Sequence, residues 1–167
     1  MNNIKLFFAV FLLFILEGTL FAGPLGDGSP YAVHVTLIAL MFLGRYGRIE
    51  QALGFGLLFG LLYDFVYSDI IGIYLFALSA IPLFSSFVLK YVKENVLTII
   101  VTFTFSAILF ELDIYFFTAS VVGVEVPFKE LATQIIPRSL IAQLIGIIVL
   151  YYPMTRLVQS TFDEKRG

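Results

Sequence analysis

The sequence predicts an all-α integral membrane protein, a six-helix bundle forming one transmembrane domain over residues 1–167. Three observations predict it. Hydrophobic residues are 60% of the chain, with a mean hydropathy of +0.99. Charged residues are 13%, about half of what a soluble domain carries. Six apolar segments follow one another, and no hydrophilic stretch between them is long enough for a soluble module.

Segment one is Ile4–Phe21, with Lys5 at its start. Its basic start and apolar core resemble a signal peptide, but Glu17 interrupts the core, no A-x-A site follows, and further spans come after it. It is therefore read as an uncleaved helix. The Gly/Pro-bearing stretch 23–30 (GPLGDGSP) is a turn. Segment two, Tyr31–Leu43, is short, since a helix crossing a ~30 Å hydrocarbon core needs roughly 20 residues. It must borrow from its flanks, thin the bilayer, or be shielded by its neighbours. A tight loop with Arg45 and Arg48 leads to segment three, Ala52–Tyr67. Segment four is Ile70–Leu89 and contains Pro82, which is expected to kink it. Segment five is Val96–Phe117, and a mixed loop, Thr118–Glu130, joins it to segment six, Leu131–Tyr152.

Basic residues orient the bundle. With both termini cytoplasmic, Lys5, Arg45, Arg48, Lys90, Lys93, Arg156, Lys165 and Arg166 lie inside, against Lys129 and Arg138 outside. The expected location is the bacterial plasma membrane, with N- and C-termini in the cytoplasm. Most acids fall on the other side: Glu17, Asp27, Asp64, Asp69, Glu111, Asp113, Glu125 and Glu130 are outer or in the outer part of a span. Those inside helices are costly in lipid and need an explanation.

The centre of the chain is the hairpin of segments three and four. Gly56, Gly60 and Asp64 recur at every fourth residue, so a helix puts them on one face. Two small residues and an acid on one apolar face suit close helix approach and one inward polar group. Gly72 and Leu75 follow in the next segment. Gly56, Gly60, Asp64 and Gly72 are thus the candidate helix-packing or partner-binding residues. Asp64 reads either as a polar helix terminus or as an acceptor fixing segment three to a neighbour.

Glu111 lies about 9 Å deep from the outer end of segment five and Arg138 about 10 Å deep in segment six. The segments are consecutive and antiparallel, so an intramembrane ion pair is expected between them. Asp113 is about 200° round the helix from Glu111, which argues against a paired-carboxylate catalytic site. His34 reads as an interfacial histidine near a helix start; the other reading lines it up with Glu17 in one outer region.

Cysteine is absent, so disulfides and thiolate metal sites are excluded; one histidine is too few for a histidine-rich metal site. A net charge of −2 with no basic tract gives no case for nucleic acid. No phosphate-binding glycine loop or nucleophile with a matching base is present, so neither catalysis nor a cofactor is expected.

The pattern Gly54-Phe55, Gly60-Leu61-Leu62, Asp64, and Gly72 followed by Leu75, with six short spans and Pro30 opening segment two, resembles the MreD family. This is the membrane subunit of the bacterial rod-shape elongation machinery. The resemblance covers most of the chain, although only the hairpin is motif-like. It implies a non-catalytic scaffold that docks the transmembrane helix of MreC. It also implies association with the MreB filament system, the RodA glycosyltransferase and its penicillin-binding transpeptidase partner. The family is similar in architecture to the substrate-binding subunits of energy-coupling-factor transporters, so a solute-binding membrane subunit is the alternative expectation. An enzyme acting on lipid-linked substrates is disfavoured by the missing acid, base and nucleophile.

Overall fold

The computed structural model describes residues 2–21, 34–68, 70–93, 95–121, 123 and 127–163. The 23–30 turn with Asp27 and Pro30, the expected start of segment two at Tyr31, and Asp69, Glu94, Glu125, Glu164, Lys165 and Arg166 lie outside the described residues. Every regular element among the described residues is helical, and these elements form six rods.

The first rod is α1 (Asn2–Leu16), continued by a wider π-helical stretch, Glu17–Phe21. Then come α2 (Val35–Tyr46), α3 (Ile49–Tyr67), α4 (Ile73–Tyr91) and α5 (Val96–Val121). The last rod starts with a short turn, α6 (Phe128–Glu130), passes through a π-helical stretch, Leu131–Ile135, and runs on as α7 (Ile136–Asp163). Three rods, Ile49–Tyr67, Ile73–Tyr91 and Val96–Val121, and the Phe128–Thr161 stretch of the last are long and apolar enough to cross a membrane.

α2 is shorter, at 12 residues, or about 18 Å at 1.5 Å per residue. Its burial compensates. All nine residues from Val35 to Leu43 are buried, on every side of the helix. α1, α3, α4, α5 and α7 all pack against it. A helix that is apolar all round is stable only when enclosed, and here protein rather than lipid encloses it. α2 is the axis on which the bundle is assembled.

The surrounding helices bury one stripe each. On α3 it is Ala52, Gly56, Phe59, Gly60, Tyr63 and Asp64; on α5 it is Ile99, Thr102, Phe103, Ser106, Ala107 and Phe110. Both follow the three-and-four spacing of a single helix face. The opposite faces expose Phe65, Val101, Ile141 and Val149, each more than half accessible. Such surfaces would be untenable in water and are neutral against lipid tails. Between α1 and α3 the contact is made by rings: Phe7 meets Phe55 and Phe59, and Phe14 meets Phe59, Tyr63 and Tyr67.

Pro82 sits inside α4. It has no N–H to give the carbonyl of Leu78, one turn earlier. That carbonyl faces the Cα of Gly56 on α3; a Cβ there would lie 2.5 Å from it. The glycine lets a carbonyl without its helical donor turn toward a Cα–H, a weak but favourable contact in a dry interface.

Candidate functional site

Two polar clusters form at one end of the bundle, where α1, α3 and α5 finish and α2, α4 and α7 begin. The first is the α3–α4 hairpin. Ser68 leaves the helical path in an extended conformation and ends α3. Gly72 precedes α4 with φ +121°, a left-handed backbone that favours glycine. This turn swings the start of α4 over the last turn of α3. Asp64, fully buried, then meets the free N–H groups of α4. Oδ2 accepts from Gly72 N–H at 2.8 Å and Leu75 N–H at 3.1 Å, and Oδ1 accepts from Tyr74 N–H at 2.8 Å.

The first four N–H groups of a helix have no partner within it, and lipid offers none. Asp64 supplies acceptors for two of them and for Gly72, with a negative charge at the positive end of the α4 dipole. Of the two readings of Asp64, the geometry selects the acceptor: it is the cap of another helix.

Gly60 and Gly56 set the distance between the helices. A Cβ on Gly60 would lie 2.5 Å from Leu75 Cα and 2.7 Å from Tyr74 O; on Gly56 it would lie 2.9 Å from Ser79 Cα. Both glycines face α4 backbone, so Gly56, Gly60, Asp64 and Gly72 serve one intramolecular seam. Gly54, by contrast, has nothing within 4 Å of a Cβ position.

The second cluster joins the other rods. Glu17, buried at the π-helical end of α1, accepts from Thr36 N–H through Oε2 at 2.9 Å and lies 3.1 Å from His34 Nδ1 through Oε1. His34 Nε2 faces Glu111 Oε1 on α5 at 3.6 Å. Ser139 on α7 donates its Oγ hydrogen to Glu111 Oε1 at 2.6 Å. The edge of Phe110 closes over the imidazole, with ring centroids 4.7 Å apart. Tyr63 lies beside Glu17 and Thr36 and stacks on Tyr74 at 5.4 Å, which ties the two clusters together. Glu17 therefore does for α2 what Asp64 does for α4, and His34 bridges to a second acid.

His34 is accordingly buried between two carboxylates, which corrects the expectation of an interfacial histidine; the packing sets Glu17 against the start of α2. Arg138, expected opposite Glu111, is an exposed residue one position before Ser139. The contacts made by Glu111 run to Ser139 and His34. Sequence reasoning missed Ser139, Thr36 and Tyr63. Ser139 was findable, because Ser139, Gln143 and Ile147 lie four residues apart and are all buried on α7. Thr36 takes part through its backbone, which no side-chain pattern reveals. Among the described residues no group of three or more His, Cys, Asp or Glu is arranged to hold a metal ion.

Nothing among curated proteins or solved structures matches the chain. The family model for the rod shape-determining protein MreD matches residues 2–161. A multi-pass helical membrane body braced by internal carboxylate caps agrees with that match, and the chain belongs to the MreD family of rod shape-determining membrane proteins.

Proposed function

We propose that the chain is a non-catalytic membrane scaffold of the bacterial cell-elongation complex. Its bundle docks the transmembrane helix of an MreC-type partner, within an assembly of MreB, RodA and a penicillin-binding transpeptidase. The excess of Lys and Arg at the end where they lie supports cytoplasmic termini. One observation carries the reading: the buried acids hold the protein's own helices. Asp64 caps α4, Glu17 caps α2, and Glu111 holds Ser139 and faces His34. Carboxylates so engaged make a stiff body with an apolar outer surface, suited to receiving a helix from lipid.

The test uses the absence of native cysteine. Single cysteines placed along α1, α3 and α7 should crosslink to a single-span MreC-type partner in a three-and-four pattern on one helix face. Co-purification of a retained small molecule with no partner crosslink would favour the solute-binding alternative instead.

At the outer end we further propose that Arg138 lends its charge to Glu111. E111R alone removes the acceptor of Ser139 as well, so it should lower accumulation more than R138E. The double swap restores opposite charges, so it should accumulate better than E111R alone; no such recovery in membrane fractions would end this pairing.

A further inference from the structure

The opposite end of the bundle carries a cavity of about 660 Å³ between the end of α2, the start of α5 and the last turns of α7. That volume is in the range of small-molecule sites. It is lined by Lys93, Asn95, Gln159, Thr155 and the rings of Tyr46 and Tyr151, with the exposed Val96 and the buried Ile99 as its apolar part. The described residues lining it include a cation and several hydrogen-bond donors but no carboxylate. Thr155 Oγ1 is buried, with no hydrogen-bond partner among the described residues. Asn95 Oδ1 accepts from Leu97 N–H at 3.3 Å, which fixes that amide at the start of α5.

The depth of the cavity narrows the ligand. The Phe128–Thr161 stretch has 34 residues, about 51 Å of helix, well beyond a ~30 Å hydrocarbon core. That surplus lets its last turns, with Thr155 and Gln159, reach headgroup level, where interfacial tyrosines such as Tyr46 and Tyr151 are enriched. The same end carries Arg45, Arg48, Lys90 and Lys93, which under the orientation proposed above, on which this inference rests, is the side that faces the anionic cytoplasmic leaflet. A lining of donors around one cation, beside the apolar Val96, complements an anionic phosphate joined to acyl chains.

We propose that this cavity seats the phosphate headgroup of an anionic phospholipid of the cytoplasmic leaflet, with Lys93 giving the charge and Asn95, Thr155 and Gln159 the hydrogen bonds. The acyl chains leave over Val96, which is exposed. The bound lipid wedges α5 against α7 where the outer clusters do not reach.

The test is native mass spectrometry of the full chain in micelles with equal phosphatidylglycerol and phosphatidylcholine. The anionic lipid should be retained about fivefold over the zwitterionic one, the factor one interfacial lysine provides. Lys93→Gln should bring the ratio close to one. Lys90→Gln, an exposed change outside the cavity, should leave it unchanged. Equal retention of the two lipids, or equal loss in both lysine variants, would overturn the site. So would displacement of the lipid by millimolar inorganic phosphate, which marks a soluble-anion site.

Discussion

Asp64→Leu should unfold the α3–α4 hairpin and remove most of the protein from the membrane. The substitution keeps the apolar volume and deletes the acceptor of three N–H groups at 2.8, 2.8 and 3.1 Å. Those donors sit in a fully buried place, so nothing replaces the carboxylate. Stranding buried donors costs about 1–3 kcal/mol each. Some will reach water as the turn opens, so the expected net loss is about 3–5 kcal/mol. A loss of that size is a large share of a domain's stability. Asp64→Asn separates charge from polarity. Its one oxygen can keep two of the bonds, while its NH2 opposes the third donor, and about 2 kcal/mol should go. Thermal unfolding in detergent ranks the three proteins as parent, Asn, Leu. Equal stability of all three would mean that Asp64 is only a polar terminus.

Gly60→Ala and Gly54→Ala should move stability in opposite directions, although they are the same change six residues apart on one helix. At Gly54 the new methyl meets nothing within 4 Å, so the helix gains up to about 1 kcal/mol of propensity. At Gly60 it would lie 2.5 Å from Leu75 Cα and 2.7 Å from Tyr74 O. Both are backbone atoms, which cannot rotate aside as a side-chain tip can. The helices must separate, and the Asp64 bonds lengthen as they do. Overpacking of this kind costs about 1–3 kcal/mol, enough to reverse the gain in propensity. Unfolding temperatures measured side by side decide it: a rise at both positions would show that the α3–α4 seam has slack.

The seam was legible early because its signal is local. Gly56, Gly60 and Asp64 share a helix face by spacing alone, and Gly72 lies within eight residues of Asp64. A hairpin leaves few ways to combine them. The spacing did not reveal that the stripe turns inward onto α4, nor that the acid accepts from backbone, which has no letter in the sequence. Segment four was expected from Ile70, yet α4 begins at Ile73. The Ser68 hydroxyl donates to the Ile70 carbonyl and accepts from the Ile70 N–H, which uses those residues for the turn.

The amino-acid sequence by itself determined the solvent and the secondary structure: lipid around helices, from hydropathy and from spacings within a few residues. The tertiary structure alone decided that the shortest helix, α2, is the axis, and that Glu17, His34, Glu111 and Ser139 meet. The reason is range. Helix periodicity is written within one turn, whereas residues more than a hundred positions apart become neighbours only through the way six rods pack, and that packing depends on all the buried faces at once.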